Sequence, residues 1–293
     1  QTLYHRIWAQ GKLRTGDYLG LIEDLRQCVD LIETNPTILV DRPFYYGYLE
    51  ALFNLGNTYI LVGDTANAEL IDRKLEKIQI DEESKVRVLE RQMIIELAIA
   101  IQRQDRDSGN ELIQRISDNL IKYRGQFHKA KELTLLYVIS HYLITMGQFS
   151  EANRWLQTLH SEQFSDYRLD YQCYAELLFL VVQYELRNLE GMAYLTTNAR
   201  NRLYRKNRLG QLESRILKLF RQLPSAPDES SEKELLDACK LDLEQLYQNP
   251  ENHSLIHYFD FVKWIDSLLK DKAMYQIPSG IYDRNQDISS PSI

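Results

Sequence analysis

An apolar helical pattern stops at Gly63-Asp64 and resumes at once, and this interruption is the feature that most constrains the fold. In LFNLGNTYILVGDTANAELI (residues 52–71), apolar residues recur at intervals of three and four on both sides of the break, which is the spacing of amphipathic helices. Glycine readily adopts the left-handed conformation that ends a helix, and Asp64 or Thr65 can cap the next one. The stretch therefore predicts a helical hairpin with a tight turn.

The same arrangement recurs along the chain, closely in LRTGDYLGLIEDL and ITMGQFSEANRWLQTL and weakly in IQRQDRDSGNELIQRI and YELRNLEGMAYLTTN. Alignment of the turns on Gly16, Gly63, Gln104, Gly147 and Asn188 gives intervals of 47, 41, 43 and 41 residues. A period in this range is typical of solenoids, in which each hairpin buries its apolar face against its neighbours. We therefore expect one all-α array over residues 1–277, with about six hairpins, a capping helix at about 252–270 and a loosely ordered tail at 278–293.

Five residues around the Gly63 turn carry a family resemblance: Leu52, Leu55, Gly56, Tyr59 and Ala68. They are similar to the tetratricopeptide pattern W-x2-L-G-x2-Y…A, with leucine in place of tryptophan. The chain thus resembles a divergent tetratricopeptide repeat protein with long helices. Its ending, HYFDFVKWIDSLL, is similar to the terminal helix of a group of uncharacterised bacterial repeat proteins. Asp72 stands where the family usually has phenylalanine, and the period exceeds the standard 34 residues.

The resemblance implies a right-handed α-solenoid in which the first helix of each hairpin lines an inner, concave face. Counting from the aligned turns places these residues on that face: Arg6, Gln10, Phe53, Asn54, Asn57, Arg91, Tyr137 and His141. Amide, guanidinium and aromatic groups together suit a bound peptide. The alternative is that these residues merely satisfy one another between neighbouring hairpins.

A second candidate site is the basic segment RNRLYRKNRLGQLESRILKLFR, residues 200–221, in a chain whose net charge is −7. Together with Tyr204, its cations are suited to phosphates or to the backbone of RNA. The predicted anion-binding residues are Arg200, Arg202, Arg205, Lys206 and Arg208. The structural alternative is neutralisation by the acidic segment that follows at 228–244.

The sequence contains no cluster of nucleophiles, bases or metal ligands and no phosphate-cradling glycine loop, so we expect neither enzyme activity nor a cofactor. His253 and His257 are four residues apart and Asp260 follows, but the acid of an H-E-x-x-H motif is missing, and we predict no metal site. Three widely spaced cysteines fit buried, reduced thiols: Cys28, Cys173 and Cys239.

The function these features favour is a scaffold or adaptor that binds a protein or peptide on the concave face of the array. The alternative is a regulator that binds nucleic acid or another anion through the basic segment. A third reading is an enzyme whose catalytic part lies upstream. Because the sequence has no long apolar run and no signal pattern at its start, we expect a cytoplasmic location without membrane association.

Overall fold

The computed structural model describes residue 12 and residues 16–78, 82–160 and 167–278. Within these ranges the chain is all-α, as expected, with twelve α-helices, short 3₁₀ segments and no strand. The helices are α1 (Tyr18–Glu33), α2 (Arg42–Leu61), α3 (Thr65–Lys77), α4 (Glu82–Arg103), α5 (Arg106–Lys122), α6 (Lys129–Thr145), α7 (Phe149–Leu159), α8 (Leu169–Glu185), α9 (Met192–Arg205), α10 (Gln211–Gln222), α11 (Glu229–Tyr247) and α12 (Phe261–Leu269). The predicted site residues Arg6 and Gln10, and the predicted tail beyond Pro278, lie outside the described residues.

The aligned turns share one backbone motif. A residue with positive φ occurs at Gly16, Gly63, Gln104, Gly147 and Arg187, and the amide of the next residue bonds to the carbonyl five positions before it. Asp64 N donates to Tyr59 O at 2.8 Å, and Gln148 N donates to Leu143 O at 2.8 Å. A left-handed residue followed by such a hydrogen bond is the Schellman motif that ends helices.

The predicted turn at Asn188 was wrong by one residue, because the left-handed residue there is Arg187. Asn188 instead occupies the position of Asp64, the residue after the left-handed one, and its amide bonds to Gln183 O at 2.9 Å. The sequence alignment matches Asn188 with the turn glycines, whereas the structure matches Arg187 with them. The other four aligned turns are confirmed.

Aspartate at the position after the left-handed residue begins the next helix. The carboxylates of Asp17, Asp64 and Asp105 accept hydrogen bonds from the amides of Gly20, Asn67 and Ser108 at 3.0, 3.0 and 3.1 Å. These bonds satisfy donors that the first turn of a helix leaves free. Of the two residues predicted to cap α3, Asp64 is therefore the one that does so.

The chain divides into two compact units, and the described residues up to Lys131 belong to the first. Within it, α2 packs against α1, α3 and α4. A Cβ atom on Gly56 would lie 2.9 Å from Ile95 Cδ1 and 3.3 Å from Ile71 Cγ2, so a glycine is what allows α2 to approach α3 and α4 closely. The other residues of the repeat pattern are also buried, namely Leu52, Leu55, Tyr59 and Ala68.

The second unit comprises residues 132–280, in which α8 packs against α7, α9 and α10, and α11 packs against α10 and α12. The predicted final helix at 252–270 was wrong in its first half, because Pro250–His257 form a 3₁₀ segment and α12 begins at Phe261. The carboxylate of Asp260 accepts the amide hydrogen of Lys263 at 2.8 Å and so caps the helix there. His257 and Asp260 therefore do not share a face of one α-helix.

All three cysteines are free and buried, as predicted. None of the helices in the described ranges combines the length and the apolar content that crossing a lipid bilayer requires.

The shared turn motif predicts opposite effects of two exchanges at equivalent positions. Gly63→Ala forces an L side chain into the left-handed region (φ 81°), and we expect it to lower the free energy of unfolding by about 1 kcal/mol. Gln104 already carries that strain at φ 57°, so Gln104→Gly should raise the free energy of unfolding by up to about 1 kcal/mol. Urea denaturation measures both effects, and a loss of stability in both variants would contradict the common motif.

Candidate functional site

Arg91, a predicted binding residue on α4, is engaged inside the first unit. Its side chain is 4% exposed, and its guanidinium pairs with Glu50 on α2 and, at 3.0 Å, with Glu90. Burial alone would raise the pKa of Glu50, but the charges of Lys131 and Arg91 outweigh burial and lower it. Arg91 thus ties α4 to α2 through an ion pair that is largely shielded from water.

The three predicted residues on α2 differ in their access to solvent. Phe53 is buried, and Lys131 Nζ lies 3.5 Å from its ring centroid. Asn57 is half-buried and its Nδ2 donates to Phe53 O at 2.9 Å. Asn54 is exposed. The part of this predicted site that a partner reaches directly is therefore the Asn54 end.

Contacts to other elements hold a row of α2 side chains in place. Arg87 Cζ lies 4.5 Å from the ring centroid of Tyr46, Arg91 pairs with Glu50, and Lys131 covers Phe53. Spacings of three and four residues keep such positions on one face of a helix. We call this face the α2 row: Tyr46, Glu50, Phe53, Asn54 and Asn57. Sequence reasoning missed Lys131, whose contact with Phe53 joins residues far apart in the chain.

Tyr137 and His141, the predicted binding residues on α6, are covered by the chain itself. Tyr137 is 1% exposed, and its hydroxyl donates to the main-chain oxygen of Tyr258 at 2.8 Å. The ring centroid of His141 lies 5.3 Å from that of Phe259. The covering residues, Tyr258 and Phe259, lie between the 3₁₀ segment Pro250–His257 and α12, and we call them the docked segment.

The docked segment is also held by α8. The ring of Tyr258 stacks on Tyr174 with centroids 4.3 Å apart and an interplanar angle of 8°, and it meets Tyr171 edge-on at 5.6 Å. Its hydroxyl donates to Asp170 Oδ2 at 3.1 Å. The face of α6 and α8 therefore binds a short stretch of polypeptide through ring stacking, one bond to the main chain and one bond from a side chain.

The residues of α6 that hold the docked segment correspond to residues of the α2 row. Tyr137 lies ten residues before Gly147 and Phe53 lies ten before Gly63, whereas His141 and Asn57 each lie six before the same glycines. The docked segment therefore contacts α6 at Tyr137 and His141. Their counterparts on α2, counted from the shared turn, belong to the α2 row.

In the basic segment, two of the predicted anion-binding residues have partners on α8. Arg202 pairs with Glu176 at 2.9 Å, and Lys206 Nζ donates to Gln172 Oε1 at 2.5 Å. Arg200, Arg205 and Arg208 are exposed, and no ion pair links them to the described residues. The predicted anion-binding residues therefore fall into a structural pair and an exposed trio.

The acidic segment at 228–244 does not neutralise the basic segment by direct ion pairs within the described ranges. Its acids and bases pair elsewhere: Glu232 with Arg187 at 3.9 Å, Glu229 with Lys233 at 2.7 Å, and Asp266 with Lys240 at 2.6 Å. The helices α10 and α11 do pack together, but the exposed trio of arginines lies before α10. Direct charge pairing between the two segments does not account for that trio.

No group of three His, Cys, Asp or Glu side chains among the described residues is arranged to hold a metal ion. The surroundings of His141 on α6 lower its pKa to about 4. Burial is the main cause, and the charge of Lys263 adds to it. The imidazole is therefore neutral and serves as a packed ring.

The lowered pKa of His141, whose side chain is half-buried, predicts a specific loss of stability in acid. The pKa of an unfolded histidine is about 6.5, so between pH 6.5 and 4 the unfolded chain binds more protons and stability falls as the pH drops. His141→Phe keeps a ring against Tyr137 and Phe259 but cannot titrate. Between pH 7 and pH 5 we expect the wild type to lose about 2 kcal/mol more unfolding free energy than the variant. Urea denaturation at both pH values measures this, and equal losses would contradict the lowered pKa of His141.

Compared with protein-family models, curated proteins and solved structures, the chain gives no match. The resemblance to tetratricopeptide proteins therefore depends on the residues around Gly63. Inference about function starts from the chemistry of the α2 row, the docked segment and the exposed arginines of α9.

Proposed function

We propose that the chain is a cytoplasmic, non-enzymatic scaffold or adaptor that binds a protein or peptide on the face formed by the first helices of its hairpins. The observation that carries this proposal is the docked segment, in which Tyr258 and Phe259 lie on α6 and α8. A face that accepts a segment of its own chain offers the contacts a segment of another chain needs. The free, buried cysteines suit a reducing compartment.

The arrangement proposed for the array is an α-solenoid within each unit. Helices two apart in the chain are in contact, α2 with α4 in the first unit and α8 with α10 in the second. In a solenoid the first helices of consecutive hairpins are neighbours, which gives this pattern. The five aligned Schellman turns from Gly16 to Arg187, which recur at intervals of 40 to 47 residues, support the same arrangement.

In the first unit, the α2 row is the proposed binding surface. Asn54 and Asn57 each carry an amide that both donates and accepts hydrogen bonds, as a peptide main chain requires. Phe53, Glu50 and Tyr46 are already held by contacts with Lys131, Arg91 and Arg87. Side chains fixed in advance lose little conformational entropy when a partner binds, so the row is suited to an extended or helical segment.

The test uses peptides selected from a displayed random library against the wild-type chain. Asn54→Arg places a long charged side chain at the exposed end of the α2 row, and we expect it to weaken binding by about tenfold or more. Gln114→Arg makes the same chemical change on the exposed face of α5 and should leave the affinity unchanged. Titration calorimetry measures both after circular dichroism has confirmed the fold. Equal affinities for the wild type and Asn54→Arg would rule out the α2 row.

A further inference from the structure

We propose that one exposed face of α9 binds single-stranded nucleic acid. This face is separate from the α2 row, and the inference does not depend on peptide binding there. We call it the α9 outer face, and it consists of the exposed Tyr194, Arg200, Asn201, Tyr204 and Arg205, the half-buried Asn198, and the exposed Arg208 just beyond the helix.

The packing of α9 sets which residues face solvent. Met192, Thr196, Ala199 and Leu203 recur at intervals of four, three and four and are buried. On the other side, the side chains of Tyr194 and Tyr204 are large and apolar in their rings yet 71% and 74% exposed. Burial of such a ring is favourable by itself, so two open tyrosines on one helix indicate a surface available for a partner.

The charge on this helix is all of one sign. Residues 192–205 contain no aspartate or glutamate. Arg202 is accounted for by its ion pair with Glu176, whereas Arg200, Arg205 and the following Arg208 are exposed and lack an ion-pair partner among the described residues. The helix dipole favours a cation in the last turn of a helix, such as Arg205, but it does not explain the two exposed tyrosines.

Arginine and tyrosine on one face match the two parts of a nucleotide. A guanidinium forms paired hydrogen bonds with phosphate oxygens, and a tyrosine ring stacks on any base. Asn198 and Asn201 lie between the tyrosines and have amides that can bond to base edges. Tyr194 and Tyr204 are ten residues apart, about 15 Å along the helix, which leaves room for a short run of nucleotides between two stacked bases.

The cations of α10 are not part of this surface. Arg215 and Lys218 line a groove of about 540 Å³ together with Asp242, whose carboxylate would repel a polyanion. The net charge of −7 for the whole chain does not prevent local binding, because charges farther than about 8 to 10 Å are largely screened at physiological salt. An acidic protein segment would pair with the same arginines but would leave the tyrosine rings without a role.

The salt dependence of binding tests the role of the arginines. The probe is fluorescein-labelled dT15, followed by fluorescence anisotropy. Contacts from Arg200, Arg205 and Arg208 to three phosphates predict roughly 20-fold weaker binding at 200 mM than at 50 mM NaCl. Arg205→Gln leaves two contacts and should reduce this ratio to about 7-fold. Arg73→Gln removes an exposed cation from α3 and should leave the ratio unchanged.

The tyrosines separate nucleic acid from other polyanions. Tyr194→Ala combined with Tyr204→Ala should weaken dT15 binding at least about tenfold and should leave any weak binding of poly-L-glutamate unchanged, because carboxylates do not stack. Both side chains are mostly exposed, so the double variant should keep its circular dichroism spectrum. Binding of poly-L-glutamate as tight as that of dT15, an unchanged dT15 affinity in the double variant, or no binding of dT15 at 50 mM NaCl would each overturn the proposal.

Discussion

The hydrogen bond that follows each left-handed turn residue fixes where each of these hairpins reverses, and the positions of the side chains follow from it. Asp64 N to Tyr59 O and Gln148 N to Leu143 O are two examples. Because the reversal occurs at the same point in each hairpin, residues at equal distances before the turn occupy equivalent places on the first helix. This common register is what relates Phe53 to Tyr137. The contacts of the docked segment with Tyr137 and His141 on α6 therefore indicate which positions of α2 are suited to hold polypeptide.

The two faces show different outcomes of this common register. On α6 and α8 the surface is aromatic, and Tyr258 and Phe259 of the same chain cover it. On α2 the side chains are mixed, and the charges of Arg91, Glu50 and Lys131 are paired. Arg91 also pairs with Glu90, whose side chain is 1% exposed, and removal of one partner from such a buried ion pair costs several kcal/mol because the other charge is left uncompensated. Substitution of Arg91 would therefore lower the stability of the fold. Substitution of the exposed Asn54 tests binding without breaking an ion pair.

Local signals in the sequence predicted the helices and four of the five aligned turns. Glycine or aspartate at a turn directly affects the backbone conformation. The repeat pattern that includes Gly56 and Ala68 reflects close helix packing, and both residues lie at such contacts in the structure. The errors were also local. At Arg187 a non-glycine residue takes a positive φ, and at Asp260 a cap starts α12 later than the periodicity indicated.

The candidate sites were harder to predict because their contacts join distant parts of the chain. Tyr137 lies on α6, the helix that precedes the Gly147 turn, but its partner Tyr258 follows 121 residues later, and nothing in the local pattern pairs them. Lys131 over Phe53 is a similar case. For the basic segment, the sequence identified the charges, but only the positions of Glu176 and Gln172 separate Arg202 and Lys206 from the exposed arginines.

The central claim is that the first helices of the hairpins hold polypeptide: in the second unit, α6 and α8 hold Tyr258 and Phe259 of the chain itself, and in the first unit we propose that α2 holds a partner. Site-specific photo-crosslinking measures this most directly, with benzoylphenylalanine placed at position 54 in one sample and at position 114 in another, each mixed with a library-selected peptide. The account predicts that the peptide is crosslinked from position 54 and not from position 114. Crosslinking from position 114 with none from position 54 would contradict it.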